Sequence, residues 1–280
     1  MQGNGLPAEA IIWLANQNMV STQRVYKCEL ELFQEAVGIP LGRVRPEHVI
    51  AYKHKIRDLA PATRARKLST LRSFYSFCVD AGYLEKDPTA SVKLPRVGSL
   101  SSRHALSVGE ANRLLDAVER GTRMGRRDYA MLALMIINAL RVAEVVAIRW
   151  GDFAEIDGIQ TLTVRGKGGK TRLAKVTAQV LRAVRSHKGH RSWTAKTRVF
   201  PLTTRAVAYR VKHWAAVAGI EKAVSPHILR HTGITAMLSE GALLPRVQQM
   251  AGHSDPKTTM RYSHLGFLED NAVDYNPIRV

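Results

Sequence analysis

Apolar residues recur every three or four positions through the first hundred residues of the chain. Four segments show this period, at residues 8–17, 21–37, 46–59 and 61–82. Such a repeat predicts amphipathic helices. Ser21 and Pro61 are residue types that begin helices, whereas Gly38 and Gly82 are types that end them. The pattern therefore predicts a helical domain over residues 1–84.

The fourth segment separates apolar side chains from basic ones. Its apolar positions, which share one helical face, are Leu68, Leu71, Phe74 and Phe77. Its basic positions, which lie toward another face, are Arg64, Lys67 and Arg72. The apolar face can pack into a core while the basic face contacts phosphate groups. A basic face that contacts only solvent is the alternative.

The helical period stops between residues 85 and 104. Pro88, Pro95, Gly98 and a group of serines in this stretch are typical of a linker. We therefore expect an interdomain linker over 85–104. A second domain, with a C-terminal tail, is expected over 105–280.

The second domain begins with a signal for a helix start, because Ser107 is followed three residues later by Glu110. This spacing is typical of a capping box. Further on, residues 128–140 are apolar nearly throughout, which predicts a buried central helix. That helix leads directly to Arg141 and Glu144.

The apolar period changes from three or four to two between residues 159 and 176. This change predicts two short strands joined by a glycine-rich turn, with Lys167 and Lys170 at its tip. A helical pattern returns over 204–219, where basic residues alternate with packing residues at Arg205, Arg210 and Lys212. The predicted fold is mainly α with a small antiparallel sheet: a helical N-terminal domain and an α+β second domain.

The net charge of the chain indicates a class of binding partner. The 280 residues include 42 Lys plus Arg and 23 Asp plus Glu, which gives a net charge of +19. The first fifty residues have four basic and five acidic residues, whereas residues 51–104 have eleven basic and four acidic. A concentrated positive charge attracts polyanions. The sequence therefore predicts nucleic acid as the partner.

Several other classes of protein do not fit the composition. Charged residues interrupt the apolar runs before the roughly 20 residues that a membrane span needs. The first ten residues lack the basic start and apolar stretch of a signal peptide. Cys28 and Cys78 are too few for a disulfide framework or a cysteine zinc site. We expect a cytoplasmic protein associated with the nucleoid, with two buried free thiols and no membrane partner.

Two motifs suggest cofactors, and both fail on inspection. The letters GKGGKT resemble a phosphate-binding P-loop, but Val164 stands where the first glycine of that motif belongs, and the turn joins two strands. His227 and His231 have the spacing of a zinc pair, but Ile228 replaces the general-base glutamate, and no cysteine or acidic ligand is near. We expect no metal and no cofactor.

His227 and Arg230 are three residues apart and hence on one helical face, where they can act together on an anion. Four boxes of the chain then occur in order: ALRVAEVVAIRW, VRGKGGKTRL, SPHILRHTGITAML and GHSDPKTTMRYSH. In these boxes and their spacing, nearly the whole chain resembles the tyrosine recombinases, the superfamily of phage integrases and Xer-type recombinases.

The resemblance implies a SAM-like core-binding domain, a tyrosine-recombinase catalytic domain and a set of catalytic residues. By motif, that set is Arg141, Lys167, His227, Arg230, His253 and Tyr262, with Glu144 in support. Two features depart from the family pattern. Asn138 and Ala139 stand where many relatives have Thr-Gly. The chain begins at the first core-binding helix, which would argue against an arm-binding domain.

Each implied role fits the chemistry of its side chain. Tyr262 would attack phosphorus. His227 would assist the deprotonation of the tyrosine, because a free phenol has a pKa of about 10. Arg141 and Arg230 would bind the non-bridging phosphate oxygens, with His253 adding a hydrogen bond. Lys167 would protonate the leaving 5′ oxygen. Lys170 is the alternative candidate for that role. If Lys167 is the acid, Lys170 would contact phosphate instead.

The product of such an attack is a 3′-phosphotyrosine ester, which retains the bond energy so that neither ATP nor metal is needed. The resemblance implies a homotetramer on two synapsed DNA sites and exchange through a Holliday junction. A type IB topoisomerase and a DNA-binding regulator without catalysis are the alternatives. The target sequence, the accessory proteins and the choice between integration, excision and resolution stay open.

Overall fold

The computed structural model describes residues 5–95, 105–166, 171–188, 193–252 and 277–278. The chain divides into two compact units, Met1–Gly98 and Ser99–Val280. The predicted fold class is confirmed, because the described residues are mainly helical and include one small antiparallel sheet. No helix in these ranges has the length and apolar character that a membrane crossing requires.

The first unit is helical. Its helices are α1 (Ala8–Ala15), α2 (Val20–Val37), a 3-10 turn (Leu41–Arg43), α3 (Pro46–Lys55) and α4 (Pro61–Asp80). Gly38 ends α2 in the left-handed conformation with a φ of 70°, and Pro61 occupies the first turn of α4. In the core of this unit, Tyr75 is fully buried and donates a hydrogen bond of 3.1 Å to the Leu41 carbonyl. Cys78 is buried as expected, but the expectation was wrong for Cys28, which is exposed on α2.

The second unit combines seven helices with one sheet in the part of the chain that is described. Its helices are α5 (Val108–Asp116), α6 (Arg123–Ile136), α7 (Val142–Ala147), α8 (Ala178–Ser186), α9 (Thr204–Val217), α10 (Pro226–Ser239) and α11 (Leu244–Ala251). The expected capping box opens α5, since Ser107 Oγ accepts from the Glu110 amide at 3.1 Å and Glu110 accepts from the Ser107 amide at 2.7 Å.

The sheet has three antiparallel strands in the order β1 (Phe153–Ile156), β2 (Ile159–Arg165) and β3 (Thr171–Lys175). The predicted pair corresponds to β2 and β3, in a register that sets Val164 opposite Arg172. The sequence pattern missed β1. This strand has only four residues, and three of them are exposed, so it shows no apolar period.

Helix α6 is the centre of the second unit, as the apolar run predicted. Its residues from Asp128 to Ile136 are all buried. Helix α10 crosses α6 at Gly233, where a β-carbon would lie 1.8 Å from the Ile136 carbonyl oxygen. Only a glycine permits this approach of the two backbones. The crossing matters for the site, because it fixes α10 against the end of α6 that leads to Arg141.

We predict that Gly233→Ala lowers the free energy of unfolding by about 3 kcal/mol or more, because the added methyl group overlaps a backbone atom that cannot move aside. Gly109→Ala is the matched control: Gly109 also lies in a helix, but its nearest neighbour to an added β-carbon is 4.0 Å away. That control should raise stability by about 0.5 to 1 kcal/mol. Urea denaturation of both variants measures the difference, and equal midpoints would contradict the close crossing.

Candidate active site

Arg141 stands between the buried end of α6 and the start of α7. It is the N-cap residue of α7, and its amide donates to Glu144 Oε2 at 2.8 Å. Its guanidinium donates from Nη1 to Glu144 Oε1 at 2.9 Å. Two residues earlier, Ala139 has a positive φ of 47°. A glycine, which the resemblance to the tyrosine recombinases would favour at this position, adopts that backbone conformation without strain.

Glu144 is the buried carboxylate of this cluster, only 4% exposed. Arg172 on β3 donates to both of its oxygens, from Nη1 at 2.9 Å and from Nη2 at 3.0 Å. Burial by itself raises the pKa of Glu144, but the hydrogen bonds from Arg172 and Arg141 outweigh it and hold the pKa below its ordinary value. The carboxylate is therefore ionised at neutral pH.

Arg230 on α10 reaches the same region from the other side. Its side chain is buried, donates from Nη1 to the Ala139 carbonyl, and donates from Nη2 to the Ala251 carbonyl at 2.8 Å. Arg141 Nη1 also donates to the Ala251 carbonyl, at 3.3 Å, and its Nη2 donates to the Gly252 carbonyl at 3.2 Å. Two guanidinium groups from distant parts of the sequence thus converge on the end of α11.

His227 lies one turn before Arg230 on α10 and is an exposed residue. Partial desolvation lowers the pKa of its imidazole, and the positive charges of Arg230 and Arg141 lower it further. The ring is therefore neutral at pH 7 and can accept a proton. His231, the other half of the zinc spacing, is buried instead.

Four predicted site residues lie outside the described residues, namely Lys167, Lys170, His253 and Tyr262. Their roles stay predictions. The described chain does show what they follow or precede: β2 ends at Arg165, β3 begins at Thr171, and α11 ends at Ala251 with Gly252 as its C-cap.

The predicted phosphate-binding face of α4 engages in contacts within its own unit. Lys67 is 12% exposed in its side chain and donates to Glu29 at 2.6 Å, and Arg66 pairs with the same carboxylate. Arg72 donates to the Val92 carbonyl at 2.6 Å. Arg64 is half-buried, and the structure gives its Nε no hydrogen-bond partner among the described residues.

The basic residues of α9 include one that forms an internal ion pair and two that are exposed. Arg210 forms an ion pair with the buried Asp128, which also accepts from Trp214 Nε1 at 3.0 Å. Arg205 and Lys212 are exposed. Of the three, the two exposed side chains are the ones available to an external phosphate.

Arg172 is the residue of this cluster that the sequence motifs did not indicate. It lies within the box VRGKGGKTRL, five positions after Lys167, where only the two lysines were predicted site residues. The usable signal was a basic residue on the strand after the turn, because strand residues can approach the buried glutamate of a neighbouring helix. The spacing of 28 residues from Glu144 gives no local pattern that reveals the contact.

Known protein families match both the N-terminal and the C-terminal part of the chain. The phage integrase family matches residues 105–269, and the phage integrase N-terminal SAM-like domain matches residues 11–82. The tyrosine recombinase XerC of Xanthomonas campestris pv. campestris is 36% identical over 217 residues, which cover 75% of this chain. The chain spans 66% of that XerC's length.

Two further comparisons cover most of the chain. The tyrosine recombinase XerD of Pseudomonas putida is 33% identical over 271 residues, covering 91% of this chain and 90% of that protein. A lambda integrase tetramer bound to a Holliday junction has a similar fold, with a TM-score of 0.69, 16% identity and coverage of 89% of this chain and 76% of that one. The chain therefore belongs to the phage integrase family, the tyrosine-type site-specific DNA recombinases.

Proposed function

We propose that this protein recombines duplex DNA at specific sites, and that the arginine cluster beside the end of α11 binds the scissile phosphate. The observation that carries the proposal is the convergence of Arg141 and Arg230 on one carbonyl oxygen, that of Ala251, with the neutral His227 nearby. Guanidinium groups suit this task, because they stay charged and match phosphate oxygens with paired hydrogen bonds.

In this proposal Tyr262 supplies the nucleophile. His227 accepts the phenolic proton, the tyrosine oxygen bonds to phosphorus, and the bond from phosphorus to the 5′ oxygen breaks. Lys167 gives a proton to that leaving oxygen, and His253 donates a hydrogen bond to the same phosphate. The product is a 3′-phosphotyrosine ester with a free 5′ hydroxyl, so a second 5′ hydroxyl can reverse the step.

The partner is a DNA duplex that carries the recombination site. The net charge of +19 favours this partner, and we propose that Arg64, Arg205 and Lys212 contact its backbone. On synapsed DNA we infer a homotetramer, supported by the similar fold of the lambda integrase tetramer on a Holliday junction. The inferred location is the cytoplasm, at the nucleoid. We also propose that accessory proteins take part in the reaction.

The pKa of His227 gives a pH prediction. Protonated His227 cannot accept the phenolic proton, so the rate of adduct formation at limiting DNA should fall on the acid side. Because the pKa is lowered, the midpoint of that fall should lie below about pH 6.5. His227→Gln should remove the fall, and His54→Gln, which changes an exposed histidine of α3, should keep it. A midpoint above pH 7 would contradict the assignment.

Covalent trapping tests the proposed function. The protein is incubated with sheared chromosomal DNA from its source organism, and the reaction is stopped with detergent. The DNA that remains attached to protein is then sequenced. We expect adducts at one short sequence, each with protein on the 3′ side and a 5′ hydroxyl on the other. Adducts spread over all sequences would favour a type IB topoisomerase, and specific binding without adducts would favour a regulator.

A further inference from the structure

Arg172 makes three directed hydrogen bonds to two other elements. Its Nη1 and Nη2 donate to the two oxygens of Glu144 on α7, and its Nε donates to the Met250 carbonyl on α11 at 3.0 Å. The side chain itself is 16% exposed. One guanidinium therefore joins β3, α7 and α11, which are far apart in sequence.

Gly252 gives independent evidence that the guanidinium belongs in this place. The glycine has a left-handed φ of 64°, and an added β-carbon would lie 2.9 Å from Arg172 Nη1 and 3.0 Å from its Cζ. The end of α11 thus lies directly against the guanidinium. Any larger residue at 252 would strain the backbone and push Arg172 away from Glu144.

The three joined elements carry the segments on which the proposed chemistry depends. Glu144 holds the backbone and side chain of Arg141, α11 leads into His253, and β3 follows the connection that contains Lys167. We propose that Arg172 is a positioning residue for DNA cleavage, which fixes these segments relative to one another. The proposal rests on the proposed function, since the reaction defines what is positioned.

Arg172 also limits the hydrogen bonds that Arg141 can form with Glu144. Glu144 is one carboxylate between two guanidinium groups, and Arg172 occupies both of its oxygens while Arg141 Nη1 shares only Oε1. Without Arg172, the buried carboxylate would be free to take Arg141 in a bidentate pair. That pairing would turn the guanidinium of Arg141 away from a bound phosphate.

Single-turnover cleavage of the duplex recovered by covalent trapping tests the proposal. We expect Arg172→Ala to lower the cleavage rate at saturating DNA about a hundredfold, because a small displacement of reacting groups has effects of that size. The Kd for the duplex should not change. Arg126→Ala is the matched control: Arg126 is also half-buried and also makes three hydrogen bonds, in its case to the carbonyls of Arg120, Gly121 and Ser186 at the start of α6.

Two further variants separate positioning from general loss of structure. Arg172→Lys keeps the charge but lacks the planar fork, so it should recover little of the rate. Gly252→Ala displaces the same guanidinium and also strains the backbone at residue 252, so it should slow cleavage at least as much as Arg172→Ala does. Full recovery by lysine, or wild-type cleavage by Gly252→Ala, would overturn the proposal.

Hydrogen exchange of the protein without DNA tests the contact by itself. Arg172→Ala should speed amide exchange in residues 244–252 and 142–147, whereas Arg126→Ala should leave both segments at the wild-type rate. Unchanged exchange, or a loss confined to the Kd for DNA, would overturn the positioning role. A wild-type protein that forms no adduct would refute the proposed function instead, and the exchange result would still decide whether Arg172 holds these segments.

Discussion

Tyr262→Phe is expected to abolish the covalent protein–DNA adduct entirely. Phenylalanine lacks the phenolic oxygen, so no ester with phosphorus can form, and no other group of the proposed site replaces it. DNA binding should persist, because it depends on cationic side chains and not on the nucleophile. Denaturing gels of trapped complexes measure the adduct, and mobility shifts at the same salt concentration measure the Kd.

Tyr275→Phe is the matched control for this change, because it removes the same oxygen from another tyrosine near the C-terminus. The control should form the adduct at the wild-type rate. An adduct that survives Tyr262→Phe would mean that a different residue attacks the phosphate. The assignment of the fourth box would then be wrong.

Arg141→Ala should lower the cleavage rate by at least about a hundredfold, the usual cost of removing one preorganised donor from a charged transition state. The side chain of Arg141 is 44% exposed, so it is accessible to a ligand while Nη1 is held by Glu144 at 2.9 Å. Arg141→Lys should recover little, since a single ammonium group cannot bind two phosphate oxygens in the manner of a planar fork. Single-turnover cleavage at saturating DNA measures both rates.

Arg185→Ala is the control for the loss of one positive charge. Arg185 is an exposed residue in the last turn of α8 and has no assigned role in the site. We expect this variant to weaken DNA binding slightly at most and to cleave at the wild-type rate once bound. If Arg141→Ala changed only the Kd, as a distant charge would, Arg141 would have no special role in the transition state.

The helices and the fold class could be predicted because they depend on local patterns. Leu68, Leu71 and Phe74 recur at helical spacing, and all three are buried in α4. A run of apolar residues is a sufficient signal for the central helix α6. The strand β1 escaped prediction because it is short and mostly exposed, and the partner strand that stabilises it supplies no signal within β1 itself.

The partners of basic residues could not be predicted, because they come from distant parts of the chain. Lys67 pairs with Glu29, 38 positions earlier, and Arg210 bonds to Asp128, 82 positions earlier. A helical period shows which face a lysine occupies but not which carboxylate faces it. Lys67 and Arg210 therefore form internal ion pairs, whereas Arg205 and Lys212 are exposed.

The candidate site shows the same limit. Four motif boxes in order identified the six proposed catalytic residues from the sequence, but the arginine that joins Glu144 to α11 has no motif of its own. Its contacts are three-dimensional, between a strand residue, a carboxylate in the first turn of one helix and a carbonyl near the end of another. Ala139 is a further example, because no local pattern in the sequence indicates its positive φ of 47°.

The most direct test of the account is to identify the amino acid that is linked to DNA. The trapped adduct is digested with nuclease and protease, and the peptide that retains a nucleotide is sequenced by mass spectrometry. The account predicts a single modified peptide, with a 3′-linked nucleotide on the oxygen of Tyr262. A nucleotide on serine, on another tyrosine, or on no residue at all would contradict it.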